Sequence, residues 1–161
     1  MKSRTLTTII APWTQLMMLA GLVILALSLS WGAPPVLAAD GRSGALHVTK
    51  DCPEYTGLAG DHCTIASSDV GEIAVGSKIY YDQAAGIPTG LLDSNVVLDA
   101  GSGDKAVGRC TLDFSTSLGL CTFSNGMGRL DGFTAEVRVS HVRDTLWALD
   151  GTYRFSPESQ R

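Results

Sequence analysis

The sequence predicts an all-β domain built as a small eight-stranded antiparallel β-barrel, and three observations predict it. After residue 40, apolar and polar residues alternate with period two, and no stretch carries apolar residues at i, i+3, i+4 and i+7 for more than one turn. Gly, Ser, Thr, Asp and Asn punctuate that alternation at short, regular intervals, as an antiparallel all-β domain requires. Glycines stand where long strands must kink if a sheet is to close on itself, as in CTFSNGMGRLDGFTAEVRV at 121–139. The alternative architecture for such a pattern is an eight-stranded sandwich or jelly roll.

The first forty residues read as a leader and not as part of the fold. Lys2 and Arg4 open it, the apolar run LMMLAGLVILALSL covers 16–29, and APPVLAA follows with small residues at the expected cut. A signal peptide over 1–39 is expected, cleaved after Ala38 or Ala39, with a single domain over 40–161. The apolar run is shorter than the ~20 residues of a spanning helix, and no cysteine stands at the cut to carry a lipid. The expected location is therefore secreted, extracellular or periplasmic, with no stable membrane anchor after cleavage. The whole chain carries 12 Lys+Arg against 16 Asp+Glu, for a net charge of −4. Loss of Lys2 and Arg4 with the leader takes the mature chain to about −6, an acidic balance that argues against nucleic acid and anionic membrane surfaces as partners.

Eight strands follow in order. They are expected near 44–50, 62–68, 76–82, 93–100, 105–114, 118–125, 128–142 and 145–155, with longer loops at 51–61 and 83–92 that each hold proline and glycine. Strands five and six form a hairpin turning around Ser115 and Thr116. If Phe114 faces Ser117, residue numbers across the ladder sum to 231, and Cys110 falls opposite Cys121, close enough for a cross-strand bridge. Cys52 and Cys63 are then left to pair across the first long loop. Four cysteines behind a signal peptide read as two disulfides in an oxidising compartment, and the C-x10-C spacing fits no zinc knuckle, so no metal is expected. Gly126 and Gly128 read as the turn into strand seven, and Gly132 as a bulge within it. Beyond that kink Phe133, Ala135, Val137 and Val139 share one face, and on strand eight Trp147, Leu149, Gly151, Tyr153 and Phe155 share another.

The segments GDHCTIASSDVGEIAVGSKIYY, VGRCTLDF…GLCTFSNGMGRLDGFTAEVRVS and WALDGTYRF together resemble bacterial secreted proteins of the allene oxide cyclase barrel-like group, related in fold to plant allene oxide cyclases and dirigent proteins. The resemblance covers about residues 45–156. It implies an eight-stranded antiparallel barrel, a trimeric homo-oligomer by analogy with the plant relatives, and an interior able to take a small apolar ligand. It carries over no catalytic residue, because the first strand, GALHVTKD, does not follow the plant pattern.

The chemistry-bearing residues are few. His47, His62 and His141 have no nucleophile motif beside them and read as surface or structural groups. Glu136 and Arg138 on strand seven, and Arg109, Thr111 and Asp113 on strand five, alternate with apolar neighbours as an outer barrel face does. Tyr80 and Tyr81 are consecutive, so one of them points outward. The residues nominated for a ligand cavity are Tyr80, Phe133, Glu136, Trp147 and Tyr153, an aromatic set with one carboxylate. No catalytic residue and no cofactor are assigned. Two functions are expected to compete: a barrel binding a small apolar molecule, acting if at all as an isomerase or cyclase, and a non-catalytic extracellular structural or interaction module. A cavity large enough for a lipid favours the first, and a solid core with exposed apolar groups favours the second.

Overall fold

The computed structural model describes residues 42–86 and 89–156. The leader expected over 1–39 lies outside those residues. Eight strands form a closed barrel in sequence order: β1 (Ser43–Asp51), β2 (His62–Ser68), β3 (Lys78–Tyr81), β4 (Leu91–Asp99), β5 (Lys105–Asp113), β6 (Leu118–Met127), β7 (Phe133–Arg143) and β8 (Leu146–Phe155). Each strand is antiparallel to the next, and β8 closes on β1 through a nine-residue ladder from Ser43 opposite Arg154 to Asp51 opposite Leu146. Closure removes the free strand edges that would otherwise template aggregation.

The period-two pattern sets which side chains enter. Leu46 and Val48, Ile79 and Tyr81, Val96 and Leu98, and Val137 and Val139 are buried, while the residues between them are exposed or half-buried. At one end of the barrel the connection 69–77 inserts Val70 and Ile73, and a 3-10 turn at Gly128–Leu130 inserts Leu130, so that end is sealed by apolar side chains. Phe133 and Phe155 meet beneath it with ring centroids 5.3 Å apart. Asp104 fixes the turn from the side. Its carboxylate accepts the Arg129 backbone N–H at 2.8 Å and Nε–H at 2.6 Å, bonds that hold its pKa below the ordinary value.

Both disulfides pair as the hairpin count predicts. Cys110 stands directly opposite Cys121 with Cα atoms 4.1 Å apart, in a ladder that runs through Asp113 opposite Leu118. Cys52 joins Cys63, Cα atoms 4.4 Å apart, across the β1–β2 loop. The hairpin turn is held by Asp113, whose carboxylate accepts from the Ser115 backbone N–H at 2.8 Å and from its hydroxyl at 2.6 Å.

The glycine-rich passage between β6 and β7 differs from expectation. β6 continues through Gly126 to Met127, and residues 128–130 are helical, so the strand expected from 128 begins only at Phe133. Position 126, within the strand, takes glycine because a Cβ there would stand 1.7 Å from the Leu130 carbonyl oxygen, which folds back over it. Gly132 sits at φ +72° in the connection, not at a bulge. The ladder irregularities that bend the sheet fall instead at Thr49/Lys50, Lys105/Val107 and His141/Arg143.

Candidate functional site

The barrel interior is filled. Ten inward residues, among them Leu46, Ile65, Phe123 and Leu149, surround a residual cavity of about 20 Å³. That volume admits about one water molecule, and a wholly apolar lining keeps such a space dry. Ligand pockets for small organic molecules run to roughly 300 Å³ and more.

The five residues nominated for a cavity do not converge. Phe133 is fully buried in the core, where Phe155 and Tyr153 pack against it. Trp147 and Tyr153 take inward positions on β8 and are half-buried. Tyr80 faces outward on β3 and lies 5.3 Å from the His62 ring, because the inner positions of that short strand belong to Ile79 and Tyr81. Glu136 is exposed on the outer face, between Thr122 of β6 and Thr152 of β8. Arg138 and Arg109 are outward too, and Arg109 donates to Asp93 at 2.6 Å. An open outer groove of about 660 Å³ does unite two of the five, Glu136 and Tyr153, with Thr122, Thr134, Thr152 and Arg154.

Sequence reasoning missed an ionisable group that enters the barrel. Lys50 ends the inward row begun by Leu46 and Val48 and is only 5% exposed. In the ladder it stands opposite Trp147 of β8 and Ile65 of β2. Among the described residues its amine has one hydrogen-bond partner, the Tyr81 hydroxyl, to which it donates, and the Lys50 Nζ lies 5.1 Å from the Tyr81 ring centre. With no carboxylate paired to it, burial lowers its pKa from 10.5 to about 8. Burial likewise pushes the Tyr81 phenol up.

A roof covers this end. The loop between β1 and β2 is bridged at its ends by Cys52–Cys63. It bonds to the β7–β8 turn through the Cys52 N–H to the Thr145 carbonyl at 3.0 Å and to β3 through the Gly60 N–H to the Tyr81 carbonyl at 2.7 Å. The Asp61 carboxylate organises it by accepting from the Thr56 and Leu58 backbone N–H groups. From this loop Tyr55 lays its ring edge-on to Tyr81, centroids 5.2 Å apart, and its hydroxyl is buried without a hydrogen-bond partner among the described residues. Desolvation, with Tyr81 and Asp61 nearby, pushes the Tyr55 phenol up to about 12. Lys50, Tyr81 and Tyr55 therefore gather an amine and two phenols at one end of the barrel, with no carboxylate hydrogen-bonded to any of them among the described residues.

The histidines are peripheral, as expected. His47 meets Asp150 at 2.8 Å on the outer surface, and that bond raises its pKa. His141 contacts the Asp144 carbonyl at 2.9 Å and packs edge-on to Trp147. The outer wall also carries large apolar groups around the β5–β6 hairpin: Leu91, Phe114, Leu118 and Leu120 are all exposed, Leu118 by 59%. Leu91 and Leu118 flank Asp113 from either side in the ladder. Two disulfides and no free cysteine among the described residues are consistent with an extracellular or otherwise oxidising environment.

Comparison of the chain with models of protein families, with curated proteins and with solved structures found no match.

Proposed function

We propose that this protein is an exported, disulfide-braced barrel of the allene oxide cyclase barrel-like kind that works through its outer surface, as a non-catalytic extracellular interaction module assembled from copies of itself. The observation that carries this reading is the filled interior, with about 20 Å³ of free space where a lipid-binding barrel needs a pocket many times larger. The closed eight-stranded meander agrees with the architecture the resemblance implied, and the signal-like leader agrees with the paired cysteines. The exposed Leu91, Phe114, Leu118 and Leu120 supply the apolar contact that a trimer would cover.

Native mass spectrometry of the mature chain from Asp40, purified without added ligand and then mixed with oleate, tests the reading. The expected spectrum is an oligomer of bare chains, each lighter by four hydrogens than the reduced form, with no oleate adduct. A co-purified apolar molecule, or stoichiometric oleate held within each barrel, would overturn it in favour of a ligand-binding barrel.

A further inference from the structure

We propose that Lys50 is a reactive amine that captures a small uncharged aldehyde as an imine at the Tyr55-roofed end of the barrel. This goes beyond the surface reading, and its test reads the lysines alone, so its failure leaves that reading untouched. Lys50 continues the inward row that Leu46 and Val48 begin with hydrocarbon, and its amine meets the Tyr81 hydroxyl with no carboxylate paired to it among the described residues. An amine enclosed by aromatic and aliphatic side chains keeps a far larger neutral fraction at physiological pH than a surface lysine does, and the neutral form is the nucleophile.

The neighbours supply what condensation requires. The Lys50 nitrogen attacks the carbonyl carbon, a C–N bond forms, and the carbonyl oxygen leaves as water carrying both amine hydrogens, so no oxidant, reductant or metal is needed. Departure of that water wants a proton donor at the reacting atoms. The Tyr81 hydroxyl, already hydrogen-bonded to Lys50, can lend its own hydrogen there and take one back. In the product the same contact persists with its direction reversed, Tyr81 donating to the imine nitrogen. The Tyr55 hydroxyl on the roof, without a hydrogen-bond partner among the described residues, is a second donor at this end of the barrel. Trp147 stands half-buried opposite Lys50 across the β1–β8 ladder, an apolar neighbour that favours an uncharged aldehyde over a charged one.

The chain provides its own internal controls, because Lys78 and Lys105 remain in the mature protein and Lys105 is partly exposed beside Asp99 at 3.1 Å. Folded mature protein is treated at pH 7.5 with acetaldehyde and cyanoborohydride, which fixes each imine as an ethyl group. The three lysines are then compared by peptide mass mapping over time. Lys50 is expected to gain its ethyl group at least tenfold faster than Lys78 and Lys105. Tyr81→Phe, its fold verified by near-UV circular dichroism, is expected to slow Lys50 severalfold and leave the other two unchanged. Ethylation of Lys50 no faster than that of Lys78 and Lys105 in the folded wild-type chain would overturn the proposal, as would a Tyr81→Phe variant that keeps the full Lys50 rate.

Discussion

Lys50 sets the energetics at the scale of single residues. A shift from 10.5 to about 8 corresponds to roughly 3 kcal/mol of disfavoured ionisation in the folded state. The unfolded chain keeps its lysine protonated up to about 10.5, whereas the folded chain releases that proton above about 8. Folding thus sheds a proton between those values, and stability rises with pH across the window; below it the burial cost is present in full. Replacing the amine and its partner together, as Lys50→Met with Tyr81→Phe, removes the cost without orphaning the phenol. The double variant is expected to be more stable than wild type by about 3 kcal/mol at pH 7, with the gap closing as pH rises from 8 to 10.5. Urea unfolding at three pH values measures it, and a double variant less stable than wild type at pH 7 would show that the amine is a structural asset. The residue was legible in principle: if Leu46 and Val48 face the core, Lys50 two positions on must as well. It was passed over because lysine at a strand end ordinarily extends its head to water, and only the roof carrying Tyr55 prevents that here.

At the scale of elements, close backbone approach decides what each strand tolerates. Gly151 on β8 stands between Leu46 and Val137 on the inner face, and a Cβ there would meet the Glu136 carbonyl oxygen at 2.0 Å. Gly108 on β5 is placed alike, where an added Cβ would meet the Thr122 carbonyl oxygen at 2.0 Å. Neither neighbour is a flexible side chain, so the strands themselves would have to separate. Gly151→Ala is expected to cost about 3 kcal/mol and lower the melting temperature accordingly, read by thermal circular dichroism; a variant as stable as wild type would mean that the β7–β8 spacing is slack. The Cys110–Cys121 bridge acts on the same scale. Cys110→Ala with Cys121→Ala is expected to remove about 3 kcal/mol, the loop-closure entropy of a short hairpin, and an unchanged denaturation midpoint would contradict that. The hairpin was fully legible because register follows from counting once the turn is located. The 126–132 passage was not, since three glycines look alike in sequence. Here one yields to a folded-back carbonyl, one starts a 3-10 turn against Asp104, and one takes a positive φ in the connection.

For the whole molecule, self-assembly of the kind proposed must use the outer wall, because the closed sheet encloses a filled core. Alternation along the strands reported that wall for Arg138 and Arg109, and Glu136, nominated for a cavity, stands on it too; alternation could not report which outer side chains gather into a patch, because that depends on register across β4, β5 and β6. There Leu91, Asp113 and Leu118 lie in one row across the three strands, Leu120 lies opposite Thr111, and Phe114 stands at the turn. A stable interface buries about 800 Å² per partner, more than four side chains provide, so the surrounding polar groups Thr111, Asp113 and Ser140 must be covered as well. Asp113 is already satisfied by Ser115, which lets it enter a contact without a new counter-charge. The chain's net charge of −4 opposes assembly over longer range, and salt screens that repulsion. Light scattering coupled to size exclusion is therefore expected to find a trimer at micromolar concentration that tightens from 50 mM to 500 mM salt. Leu118→Asp, on the exposed face and outside the core, is expected to give a monomer with an unchanged circular dichroism spectrum. A wild-type chain that stays monomeric at every salt concentration would refute self-assembly and leave the patch to a different partner.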